Sequence, residues 1–435
     1  LQPHFLEGRP VEAGPDQFLR RDPSAERLCA LLGLSGDLVH PAAPSAGCLA
    51  RGRLHRLPRG LVLGVPTDLD ALAASGLVSP AGVARARRDE AEDWPLLTSA
   101  QLGLDDEDDS AVCDGLELSA GQILRSRLGD EVVDLVVDPL LGGINAGSVD
   151  RLSLSVVAPA VAAALAGQHS VVAPLRASFG ESEEEAPAFF GVAGGLHRLV
   201  SSAEKELRSS GAEVLTSTPA DAIAIRPDGR FTVSARKETL VADGIVLALP
   251  ARRAARLLVG VAPAAARELA EIPYATVVTA TYSYRGGDIE APAGWSGFLV
   301  PRREGRLMTA VSLMSHKWPW MTPPGRAIVR VSAGRYGDER ASQLEDAELT
   351  ATLGGELAET LGTRGKPAAC LVARFENAFP QYLPGHRARI RRLLRHLEAF
   401  PRLQVAGPLL GGVGIPSCIT SGERAAERLV AELRR

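Results

Sequence analysis

The stretch from Leu403 to Arg435 limits most sharply what this chain can become. Leu403, Val405 and Ala406 make a short apolar run. Four of the next eight residues, Gly407 to Gly414, lack a Cβ. After Pro416, the residues Ile419, Ala425, Ala426, Leu429, Val430 and Leu433 recur at helical spacing. The order is strand, glycine turn, helix. A glycine turn lets backbone approach a ligand closely. The helix behind it offers unpaired N–H groups and the positive end of its dipole. That suits an electron-rich or anionic cofactor, and it also suits a plain tight turn capping a terminal helix.

With 435 residues the chain exceeds one ordinary core and should divide into two or three domains. A net charge of −4 gives no basic excess for nucleic acid. The apolar run Val156 to Leu165 is short and broken by Pro159, so it does not read as a membrane span. No secretory signal is read in the opening residues. Cys29, Cys48, Cys113, Cys370 and Cys418 form no C-x-x-C pair and no zinc-like spacing with histidine, which reads as reduced thiols in a cytoplasmic protein. No nucleophile–base pair or metal cluster stands out.

Pro23 to Leu32 reads as a helix stopped by Gly33. Cys48 to Pro58 reads as a hairpin turning at Arg51-Gly52-Arg53. From Asp68 to Ala186 the pattern is helical, with Ser119 a candidate cap for a helix reaching Leu128 and a buried apolar stretch over Val132 to Leu141. The acidic runs Asp105 to Asp109 and Glu181 to Glu185 read as solvated loops, which count against tight docking to an anionic membrane. Strands are expected at Ala212–Leu215, Asp221–Ile225, Phe231–Ala235 and Leu240–Val241, with a turn at Gly229. Gly244 to Pro250 reads as a strand buried on both faces. Further strands fall at Val277–Ser283, Phe298–Val300, Met308–Leu313 and Ala327–Ala333, and Leu344 to Leu361 is an amphipathic helix.

Several separate stretches, in order along the chain, resemble one family. These are Glu12-Ala13-Gly14-Pro15-Asp16-Gln17-Phe18, the run Val137-Asp138-Pro139-Leu140-Leu141-Gly142-Gly143-Ile144-Asn145-Ala146-Gly147, Gly194-Gly195-Leu196, Phe298-Leu299-Val300-Pro301-Arg302, Pro380-Gln381-Tyr382-Leu383-Pro384-Gly385-His386, and Gly407 to Gly422. Together they resemble the FAD-containing, oxygen-dependent protoporphyrinogen and coproporphyrinogen oxidases. The wording around Arg9–Asp16 and Gly412–Pro416 is most similar to the Gram-positive branch, which acts on coproporphyrinogen III.

The resemblance implies an α/β fold of the amine-oxidase type, with an FAD domain in discontinuous segments (1–67, 187–250 and 395–435). It also implies a helical, membrane-associated domain (68–186) and a mixed-sheet substrate domain (251–394). It implies removal of six electrons from coproporphyrinogen III, with O2 as acceptor and H2O2 as by-product. Partners would be the porphyrinogen, a membrane surface touched peripherally, and other enzymes of heme biosynthesis. Flavin contacts implied by the motif match are Gly14, Pro15, Asp16 and Gln17, then Ala220, Pro408, Val413, Gly414 and Ile415. Tetrapyrrole contacts implied in the same way are Gly143, Leu299 and Trp318. His55 stands where plant members carry a propionate-binding arginine, and Arg53 or Arg56 could replace it. Arg51, Arg302 and Arg303 add cations suited to a substrate with four carboxylates. A solvated hairpin edge explains the same charges. His386 and Tyr382 read as structural or flavin-proximal, with no side-chain base identified.

One departure is plain. The family opens with a G-x-G-x-x-G turn, and none occurs in residues 1–435. The start at Leu1 reads as a truncation, from which weak FAD binding by the chain as given is expected. The alternatives are a protoporphyrinogen IX oxidase, another amine-oxidase-type flavoprotein, or a non-catalytic porphyrin-binding protein.

Overall fold

The computed structural model describes residues 4–105, 115–179, 188–236 and 238–435. Apart from Asp105, both acidic runs lie outside the described residues, as does Cys113. The chain forms two compact units, each assembled from three segments.

The first unit takes Leu1–Gln17, Leu38–His197 and Tyr274–Gly385. Its frame is a seven-stranded sheet. In spatial order the strands are Ala369–Pro380, Tyr274–Arg285, Arg326–Ala333, Met308–Ser312, Trp295–Leu299, Ser45–Ala50 and Arg53–Arg56. Only the pairing of Trp295–Leu299 with Ser45–Ala50 is parallel. Alternation sets the two faces. Val278, Ala280, Tyr282 and Tyr284 pack with Leu349, Leu353, Leu357 and Leu361 of helix Asp346–Leu361, while Thr279, Thr281 and Ser283 face the other way, also buried. At the other end of the sheet, Cys48, Ala50 and Leu299 pack on a helical cluster running from Leu69 to Leu175. The helical segment therefore shares a core with the sheet instead of standing as the separate 68–186 domain expected from sequence. Its helix Ala120–Leu128 starts at Ser119 with the expected cap, completed as a capping box by Gln122.

The apolar stretch over Val132–Leu141 is buried as expected and takes an unusual form. Val133–Gly142 is a π-helix with Pro139 inside it. Proline lacks the N–H that a regular turn would use, and the widened turns accommodate it.

The second unit takes Phe18–Asp37, Arg198–Pro273 and His386–Arg435. Helices Ala251–Leu258, Pro263–Ala270 and His386–Leu397 pack in a row, so residues 251–273 fall outside the sheet-bearing segment in which they were expected. Ile245–Leu247 pairs in parallel with Leu403–Val405. Leu247 is buried but Ile245 and Val246 are only half-buried, less than the both-face burial expected. Ala222–Ile225, Phe231–Ala235 and Glu238–Ala242 form an antiparallel meander turning at Gly229. Ala212–Leu215 is no strand. The N–H groups of Gly211 and Ala212 close the end of helix His197–Ser209 instead, with Gly211 at φ +87°. The long strand Ala369–Pro380 escapes sequence reading because Arg374, Glu376 and Asn377 break its apolar pattern. It sits at a sheet edge, where such residues are tolerated. Cys29, Cys48, Cys370 and Cys418 carry free thiols. Among the described residues no helix is long and apolar enough to cross a membrane.

Candidate functional site

In the first unit the loop Glu12–Gln17 is fastened by one buried carboxylate. Asp16 Oδ1 accepts from Arg330 Nη2 at 2.7 Å, and Asp16 Oδ2 lies 2.6 Å from Lys317 Nζ. Trp318 Nε1 donates to the same Oδ2 at 2.6 Å. Arg330 Nη1 also donates to the carbonyls of Glu12 and Gly14, and Thr279 Oγ1 to that of Ala13. Burial works against the Asp16 charge, yet Arg330 and Lys317 outweigh it and hold the carboxyl well below its usual range. Burial lowers Lys317, with Asp16 opposing the shift. Glu12 is also buried. Desolvation raises its pKa, partly offset by the backbone N–H groups of Leu196 and His197. The Gly194-Gly195-Leu196 turn is thus tied to the loop, and a Cβ on Gly195 would come 2.6 Å from Glu12 Oε1. At the end of the loop, Gln17 Oε1 is buried without a hydrogen-bond partner.

This knot changes the reading of Trp318. Offered by resemblance as a wall for a tetrapyrrole, and equally readable as core or surface packing, it is only 1% exposed. Its ring fills the space beside Gly191, where a Cβ would lie 2.5 Å from Cη2. The structure gives it a packing role, as a pin for the Glu12–Gln17 loop. Neither Arg330 nor Lys317 was singled out from sequence. The available signal was a lone arginine inside the apolar strand Ala327–Ala333, which implies a buried anionic partner.

Leu299 and His55 come together. Leu299 faces Cys48 across one strand pair, and Cys48 faces His55 across the next. Arg53 lies opposite Ala50 on the same face. The other cations divide clearly. Arg51 donates to the carbonyls of Leu77 and Gly76 at 3.1 and 2.8 Å. Arg302 donates to Gly147 O and pairs with Asp138 at 3.3 Å. Arg56 donates to Ser45 Oγ. These three support the fold, which leaves fewer cations for a substrate than the six that the sequence offered beside the alternative of a solvated edge. Among the described residues the side chains of Arg53, His55 and Arg303 make no hydrogen bond or ion pair. Arg303 adjoins Glu304, whose carboxylate accepts the N–H groups of Arg51 and Gly52 at the hairpin tip. Gly143 is exposed at the end of the π-helix, and a Cβ there would meet nothing within 4 Å.

The second unit carries the glycine turn. Gly407 and Gly411 sit at φ +108° and +129°, and a Cβ on Gly412 would lie 2.7 Å from that of Ser417. These three positions need glycine for the chain's own sake. Gly414 does not: its φ is −69°, and a Cβ there would meet only Pro416 Cδ at 3.7 Å, with Ser417 Oγ farther off. Gly414 opens the 19-residue helix Ile415–Leu433 with no side-chain cap, so the first-turn N–H groups remain available to a ligand. The turn is fixed from behind. Gly407 N donates to Ser421 Oγ at 2.9 Å, and His386 Nε2 lies 3.1 Å from Leu409 O. Burial pushes His386 down to about 4, so the ring is neutral, and its contact with Leu409 O is a structural one. Ala220 is exposed just ahead of strand Ala222–Ile225. The implied flavin contacts thus fall in both units: Gly14, Pro15, Asp16 and Gln17 in the first, Ala220, Pro408, Val413, Gly414 and Ile415 in the second. Among the described residues there is no metal-binding cluster.

Known proteins match this arrangement along its length. The family model described as flavin containing amine oxidoreductase matches residues 2–430. The chain is 33% identical over 439 residues to a coproporphyrinogen III oxidase of Mycobacterium bovis, covering 100% of this chain and 89% of that protein. It is 29% identical over 426 residues to a coproporphyrinogen III oxidase of Bacillus subtilis, covering 96% and 86%. The human protoporphyrinogen oxidase is 28% identical over 421 residues, covering 92% and 83%. A solved structure from Exiguobacterium sp. 255-15, provisionally called a protoporphyrinogen oxidase, superimposes with a TM-score of 0.84 at 26% identity, covering 100% of this chain and 90% of that one.

Proposed function

Because the chain belongs to the flavin-containing amine oxidoreductases, we propose that it binds FAD non-covalently and oxidises coproporphyrinogen III to coproporphyrin III, with O2 as acceptor and H2O2 as product. The observation that carries the flavin reading is Gly414. Nothing in the protein's own packing requires a glycine there, while the helix behind it starts uncapped. A cofactor held against backbone explains both. Val413, Gly414 and Ile415 would hold it by main chain, with Pro408 beside them and Ala220 toward the adenine side. Gly14, Pro15, Asp16 and Gln17 would border the isoalloxazine ring.

When bound, the flavin supplies the two-electron acceptor that no side chain here provides. The protein contributes position, charge and dryness. The helix N-terminus at Ile415 favours negative charge on a neighbouring ring system. Arg330 and Lys317, acting through Asp16, keep the Glu12–Gln17 loop from moving. His386, neutral near pH 7, donates from Nε2 to Leu409 O and so fixes the glycine turn, and it holds no imidazolium proton to act as an acid. Leu299 offers an apolar surface, and the unpaired Arg53, His55 and Arg303 suit the carboxylates of a tetrapyrrole.

Two porphyrinogens compete as substrate, and the curated relatives include oxidases named for each. They differ in whether two side chains end in carboxylates. The unpaired cations and the bacterial relatives favour the four-carboxylate compound. The test is porphyrin fluorescence formed from each substrate by purified protein supplied with FAD. Coproporphyrinogen III should be preferred in kcat/KM by at least about tenfold, a difference of about 1.4 kcal/mol. An equal or reversed ratio overturns the substrate assignment, and no porphyrin from either overturns the function.

A further inference from the structure

In the first unit, helices Leu69–Ala74 and Pro80–Ala91 border a cleft of about 630 Å³. Its apolar surface is continuous with the core, since Val78 and Val83 line it and are themselves buried. Ala73 and Ala84, one on each helix, line it too and are exposed. Two of its polar side chains are spent on each other. Glu131 Oε1 accepts Ser79 N at 3.0 Å, and Ser79 Oγ donates to Glu131 Oε2. Ser79 Oγ also accepts Gly82 N at 3.1 Å and so caps the second helix. A Cβ on Gly82 would collide with Glu131 Oε2, so the glycine makes room for that carboxylate. The two arginines in the lining differ. Arg51 is held on the carbonyls of Gly76 and Leu77, with Glu131 Oε1 at 3.8 Å. Arg87 is half exposed and pairs with Asp70, which is 86% exposed. Such a surface pair is weak and yields readily. A guanidinium carries five N–H donors, so Arg87 keeps donors to spare.

We propose that this cleft binds a free single-chain amphiphile, an alkyl carboxylate whose tail lies on Val78 and Val83 and whose head meets Arg87. The volume and the mostly apolar lining are those of a small-molecule site. With Ser79 and Glu131 satisfied by each other, the walls offer nothing to polar groups along a ligand's length, so its body must be apolar. Valine and alanine give dispersion contact but no aromatic ring to stack on, which suits an alkyl chain better than a flat ring system. Arg87 supplies the charge-assisted contact for the head. Asp70 and Glu131 stand beside Arg87 and Arg51, so the rim has no net positive charge to draw an anionic bilayer, and recognition falls to the one local contact. None of the residues assigned above to the flavin or the porphyrinogen lines the cleft, so this inference stands apart from that reading.

The experiment is calorimetric titration of the protein with sodium decanoate, with sodium butyrate as a head without a long tail, and with octyl glucoside as a tail without charge. The proteins are wild type, Ala84→Trp, Arg87→Gln and the control Ala74→Trp. Ala74 is exposed on the first helix and does not line the cleft. Wild type should bind decanoate at one site, at least about tenfold more tightly than butyrate. Ala84→Trp fills the cleft from an exposed position and should raise Kd for decanoate at least about tenfold with the urea midpoint unchanged. Arg87→Gln should raise Kd for decanoate about threefold or more and leave that for octyl glucoside within about twofold. The control should bind as wild type does. A Kd for Ala84→Trp within about twofold of wild type, an equal loss in Ala74→Trp, or butyrate bound as tightly as decanoate overturns the proposal. So does sedimentation with phosphatidylglycerol vesicles by a protein that ignores decanoate, which would make the region a membrane surface instead.

Discussion

Asp16→Asn isolates the knot under the Glu12–Gln17 loop. The substitution keeps size and removes one negative charge from a site where the Asp16, Lys317 and Arg330 side chains are all less than 10% exposed. Two buried cations then lose the anion they share. Breaking a buried ion pair from one side typically costs about 3–5 kcal/mol. Lys317→Met acts in the opposite sense: one carboxylate still faces one guanidinium, and Trp318 Nε1 still donates. Its cost should stay below about 1.5 kcal/mol, because burial already penalises the ammonium. The pH dependence has a definite sign. The folded pKa of Asp16 lies below the unfolded one, so its stabilisation is full above the ordinary carboxyl value of 3.8 and is lost progressively as pH falls below it. The assay is urea unfolding followed by tryptophan fluorescence at pH 7 and pH 3. Asp16→Asn should lower the midpoint strongly at pH 7 and somewhat less at pH 3, where the folded carboxylate is still ionised, with the slope unchanged. A Lys317→Met variant as unstable as Asp16→Asn would refute the argument that one anion balances two cations.

Three further outcomes are expected. Gly414→Val should lose bound flavin while Gly260→Val keeps it, since a Cβ at either position clashes with no protein atom; equal flavin content after gel filtration removes the case for the C-terminal turn. His386→Leu should flatten the acid limb of stability between about pH 6.5 and pH 4 by about one proton, because a histidine whose folded pKa is depressed loses its contribution as pH falls through that window; a wild-type slope retained in the variant contradicts the neutral-ring reading. Arg53→Ala and Arg303→Ala should each raise KM for coproporphyrinogen III by about threefold or more and leave KM for protoporphyrinogen IX nearly unchanged; parallel changes on both substrates would make these arginines general surface charges.

Much of this was legible beforehand where a residue's local pattern and its tertiary setting agree. The glycine turn and terminal helix, the hairpin at Arg51–Arg53, and the helix capped by Ser119 are written in local spacing, and they fold as read. The π-helix was visible only as apolar burial, since a widened turn leaves no periodicity of its own. Ala212–Leu215 misled because apolar alternation was read without the helix end that claims its N–H groups. The assignment of cations went further astray. Arg51, Arg53, Arg302 and Arg303 are chemically alike in sequence. Only geometry shows that Arg51 and Arg302 are bound to carbonyls while the side chains of Arg53 and Arg303 find no partner among the described residues. Trp318 taught the same lesson, because its buried partner stands 302 residues away.

The parallel pairing of Ile245–Leu247 with Leu403–Val405 also bears on how this protein is made. The partners are 158 positions apart in the chain. At about 5–20 residues per second, a ribosome needs roughly 8–30 s to deliver the second strand after the first. Throughout that interval Leu247 has no strand to pair with, and helix Ser24–Leu31 waits for the terminal helix against which it packs. Collapse of small chains takes microseconds, far faster than that delay. The nascent second unit therefore spends most of its synthesis collapsed but incomplete, a state exposed to aggregation. Its yield in cells should depend on holdase chaperones and on translation speed downstream of Pro250 more than on the stability of the finished fold.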